Sequence, residues 1–123
     1  DLYIFIDVKT HKFFERDGRD IFIQVPVSTL DAIIGCEIFV PCIDGKKAKL
    51  SIASGTQTGT RLRMKGKGMP SLRGGSNGDH YVEIVLETPV NISKKQQDLI
   101  KEFINLGSEK NIPKTTKFNR NTF

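Results

Sequence analysis

Tryptophan is absent from the 123 residues, and cysteine, histidine, methionine and tyrosine occur only twice each. Cys36 and Cys42 make no Cys-x-x-Cys, and together with His11 and His80 they are too scattered for a tetrahedral zinc site. Spread along one extended segment, the two thiols would stand roughly 20 Å apart, beyond disulfide reach. Reduced thiols favour a cytoplasmic or organelle-matrix setting. No apolar run is long enough to span a bilayer, and no secretory leader pattern opens the sequence, so no membrane partner is expected. Neither histidine has an acid or nucleophile assembled beside it. His80 falls in a strand pattern and His11 before a turn, where packed or solvated imidazoles explain them, and no enzyme is read here. Charge of one sign is also in short supply. The net +5 comes from 19 basic against 14 acidic residues, and four of the cations lie in the acid-free run from Lys110 to Arg120. Without that tail the body is nearly neutral, so charge points to no particular partner.

Alternation of apolar and polar residues is what the chain has most of. Period-two patterns run over residues 1–10, 21–27, 36–43, 46–53, 61–65 and 80–87, the signature of half-buried strands. Leu2, Ile4, Ile6 and Val8 share a face in the first, and Ile21, Ile23, Val25 and Val27 in the second with Phe22 opposite. Cys36, Ile38, Val40 and Cys42 align against a lone Phe39. Asp44-Gly45 marks a hairpin turn, after which Ala48, Leu50 and Ile52 turn one way and Lys47, Lys49 and Ser51 the other. Between the second and third patterns, Ser28 to Gly35 reads as a short helix, with Ser28 and Asp31 as a reciprocal cap and Gly35 as its stop. Ser93 and Gln96 open a second helix carrying Leu99, Ile100, Phe103, Ile104 and Leu106 to Gly107. Asn91-Ile92-Ser93 matches a glycosylation sequon, but capping explains it better. Residues 108–123, rich in Lys, Asn and Thr and without periodicity, are expected to be disordered.

The stretch from Gly55 to Asp79 carries the most concentrated chemistry. Arg61, Arg63 and Lys65 fall on one face of a strand, Leu62 and Met64 on the other. The glycine-rich half that follows reads as a mobile basic surface loop. Gly66-Lys67 resembles the end of a phosphate-binding loop, yet that loop needs glycine where Arg61 stands, and Pro70 with Gly74-Gly75 forbids the helix it should open. Four cations within seven residues could instead follow a nucleic-acid backbone, although no aromatic residue is interleaved to stack a base. A solvated outer face that keeps a strand soluble is the plainer explanation.

Residues 1–10 align without gaps on residues 79–88, with Asp, Tyr, Ile and Thr coinciding at four of ten places. The coincident Asp and Tyr are not forced by alternation. Residues 1–10 are therefore expected to be the closing strand of a truncated preceding β-domain, a copy of the module at 11–90. Such an orphan strand should project or find a neighbouring chain.

Seven motifs occur in order: His11-x-x-Phe14-x-Arg16-x-Gly18-x-Asp20, Val25-Pro26-Val27-Ser28, Ala32-x-x-Gly35, Pro41-x-x-Asp44-Gly45, Gly55-Thr56-Gln57-Thr58-Gly59, Arg63-Met64-Lys65-Gly66-Lys67-Gly68 and Gly78-Asp79-x-Tyr81-Val82. Together they resemble the second C-terminal β-domain of DnaJ-type (J-domain) co-chaperones, followed by its dimerisation helix, here 91–107. The resemblance covers roughly residues 1 to 106. It implies a mainly β fold of two small packed, antiparallel-rich sheets with one short internal helix and a C-terminal helix. It also implies holding unfolded client polypeptides and delivering them to a DnaK-type chaperone. The sequence has no His-Pro-Asp of a J domain and no Cys-x-x-Cys-x-Gly-x-Gly repeat, so no cofactor is expected in it, and zinc only in an upstream region.

The residues offer a mechanism consistent with that resemblance. Two strands carry large apolar residues on both faces, one more face than a two-sheet core uses. The surplus face could take an apolar peptide, possibly as an added strand. By analogy with the groove of the family's first β-domain, Ile21, Val40 and Cys42 map onto it, and Phe22 and Phe39 are the alternative. Nucleic acid is not the expected partner. In the C-terminal helix, Leu99, Phe103 and Leu106 follow one edge of the apolar stripe and Ile100 and Ile104 the other. One edge is expected to meet its twofold mate in a homodimer.

Overall fold

The computed structural model describes residues 14–123. The expectations for residues 1–10, including the projecting strand, lie outside the described residues. The chain divides into two compact units, Asp1–Pro89 and Val90–Phe123. In the first, β1 (Glu15–Asp17), β2 (Asp20–Ser28), α1 (Thr29–Ile34), β3 (Cys36–Pro41), β4 (Lys47–Ile52), β5 (Arg61–Met64) and β6 (His80–Glu87) follow in order. They make a four-stranded sheet ordered β1-β2-β6-β5 and a two-stranded sheet β3-β4. This is the mainly β, two-sheet fold expected.

Among the described strands, three of the four pairings are antiparallel, and the fourth, β2 with β6, is parallel from Ile21↔His80 to Ser28↔Glu87. A parallel pair needs a crossover, and here it contains α1, the β3–β4 hairpin and β5. Pro26, which cannot donate to a ladder, sits where β1 no longer runs beside β2. The alternation read from sequence sets the inward faces. Ile23, Val27, Val40, Ile52, Val82 and Ile84 form the buried core, flanked by Phe14, Val25, Cys36, Ile38, Leu50, Leu62, Met64 and Leu86. Burial of each large aliphatic side chain there contributes about 1.5–3 kcal/mol.

Three local expectations need correction. Around α1 the Ser28–Asp31 reciprocal cap does not form. Ser28 Oγ instead accepts from the Leu30 amide at 3.2 Å, two residues on, which suffices for a helix of six residues. Gly35 does stop the helix, at φ +91°, and a Cβ there would lie 3.0 Å from Ser54 N. The hairpin strands end earlier than the alternation suggests, at Pro41 and Lys47, because the Cys42 amide donates to Lys46 O (2.8 Å) and the Gly45 amide to Cys42 O (3.1 Å). The loop after β5 is not a loose surface segment. Gly68 and Met69 are buried, and the Met69 amide donates to Arg19 O at 2.7 Å, tying the loop to the β1–β2 turn.

In the second unit, α2 (Lys94–Leu106) has the expected capping box between Ser93 and Gln96. Residues 108–123 are ordered rather than irregular: a 3-10 turn at Glu109–Asn111 leads to α3 (Pro113–Thr122). Local chemistry builds this end. Ser108 and Asn111 cap each other, Pro113 presets the first turn, and Arg120 bridges to Glu109 at 3.2 Å. None of these devices leaves an apolar period to read.

Candidate functional site

The five residues singled out for peptide contact do not form one surface. Ile21 and Val40 are buried, only 1% and 0% exposed. Phe22 lies on the outer face of the four-stranded sheet, stacked on Tyr81 at 5.1 Å between centroids, with the Arg61 guanidinium 5.7 Å from its ring. Phe39 is exposed on the outer face of the two-stranded sheet, where Lys47 Nζ stands 4.4 Å from its ring centroid. Phe22 borders one cleft, and Cys42 lines another.

That cleft, about 380 Å³, opens between the end of the hairpin and the loop after β5. Cys42, Ile43, Asp44, Lys46, Lys47 and Ala48 form one wall, and Gly66, Lys67, Gly68, Met69, Pro70 and Asn77 the other. Short-range bonding shapes both sides. The hairpin wall is closed by the Cys42–Lys46 turn, with Asp44 Oδ1 accepting from the Lys46 amide at 2.9 Å. The loop wall is fixed by paired backbone bonds, Gly68 N–H to Gly78 O (2.9 Å) and Gly78 N–H to Met69 O (2.8 Å), and by Asn77 Nδ2 donating to Gly66 O (3.2 Å). Asp79 accepts from the Gly66 amide at 2.9 Å and from Arg63 at 2.8 Å. The Gly66 amide first, and then the Arg63 guanidinium, hold its carboxyl below the usual range. In the hairpin wall, burial pushes the Cys42 thiol up, Asp44 adds to that, and Lys67 pulls the other way. A thiol so raised is a packing group rather than a nucleophile.

His80 anchors the hairpin end to the larger sheet. It is fully buried, with Phe14 edge-on at 5.5 Å, and its Nε2–H donates to Pro41 O at 3.1 Å. Nδ1 has no partner. Burial lowers the imidazole below its ordinary value, and its backbone hydrogen bonds offset part of this. The role is structural: a neutral ring joins the first residue of β6 to the last of β3.

The cation track along β5 is broken up by partners. Arg61 pairs with Glu83 at 3.7 Å and Arg63 with Asp79 at 2.8 Å, so neither is left for a phosphate chain. A second cleft of about 330 Å³ surrounds Phe22 and Tyr81, bounded by Glu15, Gln24, Arg61 and Glu83. In α2, Leu99, Phe103, Ile104 and Leu106 are each more than half exposed and Ile100 partly so. Among the described residues no helix is long and apolar enough to cross a membrane.

Sequence reasoning missed Met69, Pro70 and the lysines of the cleft. The signal was an apolar pair inside a glycine-rich basic loop, Gly68-Met69-Pro70, where solvated loops seldom spend such residues.

Comparison with known proteins agrees with this architecture. Residues 1–89 match the family model described as DnaJ C terminal domain. The chaperone protein DnaJ of Roseobacter denitrificans is 50% identical over 118 residues, which are 96% of this chain and 30% of that protein. That of Maricaulis maris is 53% identical over 109 residues, 89% of this chain and 28% of the relative. That of Brucella anthropi is 47% identical over 118 residues, 96% and 31% respectively. The chain thus spans about 30% of the length of the relatives it matches. With a two-sheet fold, the ordered motif series and a family match over the whole first unit, the chain belongs to the DnaJ C-terminal domain family.

Proposed function

We propose that this chain is the client-holding and self-associating part of a DnaJ-type co-chaperone. It binds apolar segments of unfolded polypeptides in extended form, pairs with a second copy through α2, and in the longer protein hands clients to a DnaK-type chaperone in a cytoplasmic setting. No chemical step and no cofactor is assigned to it.

The observation that carries this reading is the cleft at the hairpin end. It has an apolar floor of Cys42, Ile43, Ala48, Met69 and Pro70, beside a hairpin whose outer strand edges pair with no other described strand. A pocket next to a free edge is the arrangement that captures an extended peptide, backbone to the strand and one side chain to the pocket. Of the five residues expected in the contact, Cys42 lies in this wall, and Phe39 is exposed in the same hairpin. Ile21 and Val40 are buried, and Phe22 belongs to the second cleft.

A fluorescence titration of the chain with a labelled Leu/Phe-rich peptide and with single-stranded RNA tests the reading. Saturable peptide binding with little salt dependence is expected. Micromolar RNA binding that falls steeply with salt, without peptide binding, would replace it with a nucleic-acid module.

A further inference from the structure

We infer that the cleft at the hairpin end selects client segments in which an apolar residue lies beside one or more carboxylates. This inference rests on the peptide-binding reading and adds the class of peptide.

The charges around the cleft are one-sided. Lys46, Lys47 and Lys67 stand in its walls against a single carboxylate among the described residues, Asp44. Asp44 already accepts the Lys46 backbone amide at 2.9 Å. Every ion pair among the described residues lies elsewhere, so none of the three ammonium groups is neutralised by a described neighbour. This contrasts with β5, where Arg61 and Arg63 both have acidic partners. Cations left unpaired around an apolar floor complement an anionic, partly apolar ligand.

Size narrows the occupant further. A space of about 380 Å³ is at the small end of ligand pockets. It admits one apolar anchor with its immediate neighbours, not a long hydrophobic stretch. Gly66 contributes an open wall, since a Cβ there would meet no atom within 4 Å. Lys47 rests over Phe39, so a peptide lying along the hairpin would meet an apolar ring and an ammonium together. A nucleic acid fits less well, because among the described residues no aromatic side chain lines the cleft to stack a base. A polypeptide with Asp or Glu one or two residues from a Leu, Ile or Met satisfies both the floor and the rim.

Three fluorescein-labelled peptides of one apolar core, flanked by Glu, by Gln or by Lys, are titrated against the whole chain at low and moderate salt. The Glu-flanked peptide should bind roughly three- to tenfold tighter than the Gln-flanked one, the range that one or two exposed charge pairs supply. The Lys-flanked peptide should bind weakest. The double variant Lys46→Gln/Lys67→Gln should bring the first two affinities together, whereas Lys114→Gln/Lys117→Gln in α3, with the same charge change, should leave their ratio intact. Equal binding of all three peptides, or a ratio erased equally by both double variants, overturns the selection and leaves peptide binding standing. If none of the three binds, the peptide-binding reading itself fails, and the inference with it. Tighter binding of single-stranded RNA than of the Glu-flanked peptide also overturns it, because the rim would then be reading phosphate.

Discussion

Replacing Gly78 with alanine should unfold much of the first unit, although its backbone needs no left-handed conformation. A Cβ at this position would lie 2.0 Å from the Arg19 carbonyl oxygen, 2.3 Å from the carbonyl carbon and 2.7 Å from Arg19 Cβ. Two of these three are carbonyl backbone atoms, so no side-chain rotation relieves the contact. To restore even a close contact the two segments must part by about 1 Å or more, and that breaks the bonds clasping them. Those at stake are Gly78 N–H to Met69 O (2.8 Å), Gly68 N–H to Gly78 O (2.9 Å) and Met69 N–H to Arg19 O (2.7 Å). Overpacking costs about 1–3 kcal/mol, and each lost hydrogen bond about 0.5–1.5 kcal/mol. A total of about 2.5–7.5 kcal/mol is a large part of the 5–15 kcal/mol that holds a typical domain folded. At about 4–8 °C per kcal/mol, Tm should fall by at least about 10 °C. Gly66→Ala is the control. Its φ is +74° but nothing crowds its Cβ, so only the left-handed cost of about 1–2 kcal/mol applies. Urea unfolding followed by far-ultraviolet circular dichroism compares the two. Were Gly78→Ala no more damaging than Gly66→Ala, the tight clasp between the loop and the β1–β2 turn would be wrong.

Two further outcomes follow from buried and exposed groups described above. Burial lowers the His80 imidazole, so the unfolded chain takes up its proton first. The stability it contributes is whole above pH 6.5, the ordinary value, and drains as pH falls below it, with a slope of at most about 1.4 kcal/mol per pH unit for one proton. The urea midpoint should therefore drop between pH 7.5 and pH 5, and His80→Leu should flatten that drop; an identical drop in the variant sinks the assignment. Phe103, 57% exposed on α2, is expected at a twofold contact, and Phe103→Asp should raise the dimer Kd at least about tenfold, read as a shift to monomer by sedimentation velocity. The circular dichroism of the sheets should not change, and its collapse would mean that the helix belongs to its own core.

Legibility in the sequence followed the range of the interaction. The inward sets Ile23–Val27, Val82–Ile84 and Ala48–Leu50–Ile52 were readable because a period of two needs no knowledge of the partner strand. The Ser93–Gln96 cap was readable because it is contained in four residues. The parallel pairing of β2 and β6 was not, since alternation is silent about which strands meet and in which direction. Nor was the burial of Met69, which depends on a carbonyl contributed by Arg19. How Ile21, Val40 and Cys42 sit relative to a cleft was hidden for the same reason. Their strand parity was right, but two of them face a core that only the second sheet completes. Order in residues 108–123 escaped because caps and an ion pair, rather than apolar spacing, build it.

The parallel β2–β6 pair also governs the order in which the chain can fold. Its partners, such as Val25 and Ile84, are remote in sequence, whereas β3 and β4 are joined by a turn of a few residues. Closing the short hairpin costs little chain entropy and closing the long crossover costs more, and domains ruled by distant pairings fold slowly. During synthesis the hairpin can therefore form as soon as it emerges, while β2 must wait with one edge unpaired until His80–Glu87 has been made. The chain thus passes through an unfinished stage of its own, with Ile23 and Val27 uncovered until His80–Glu87 arrives.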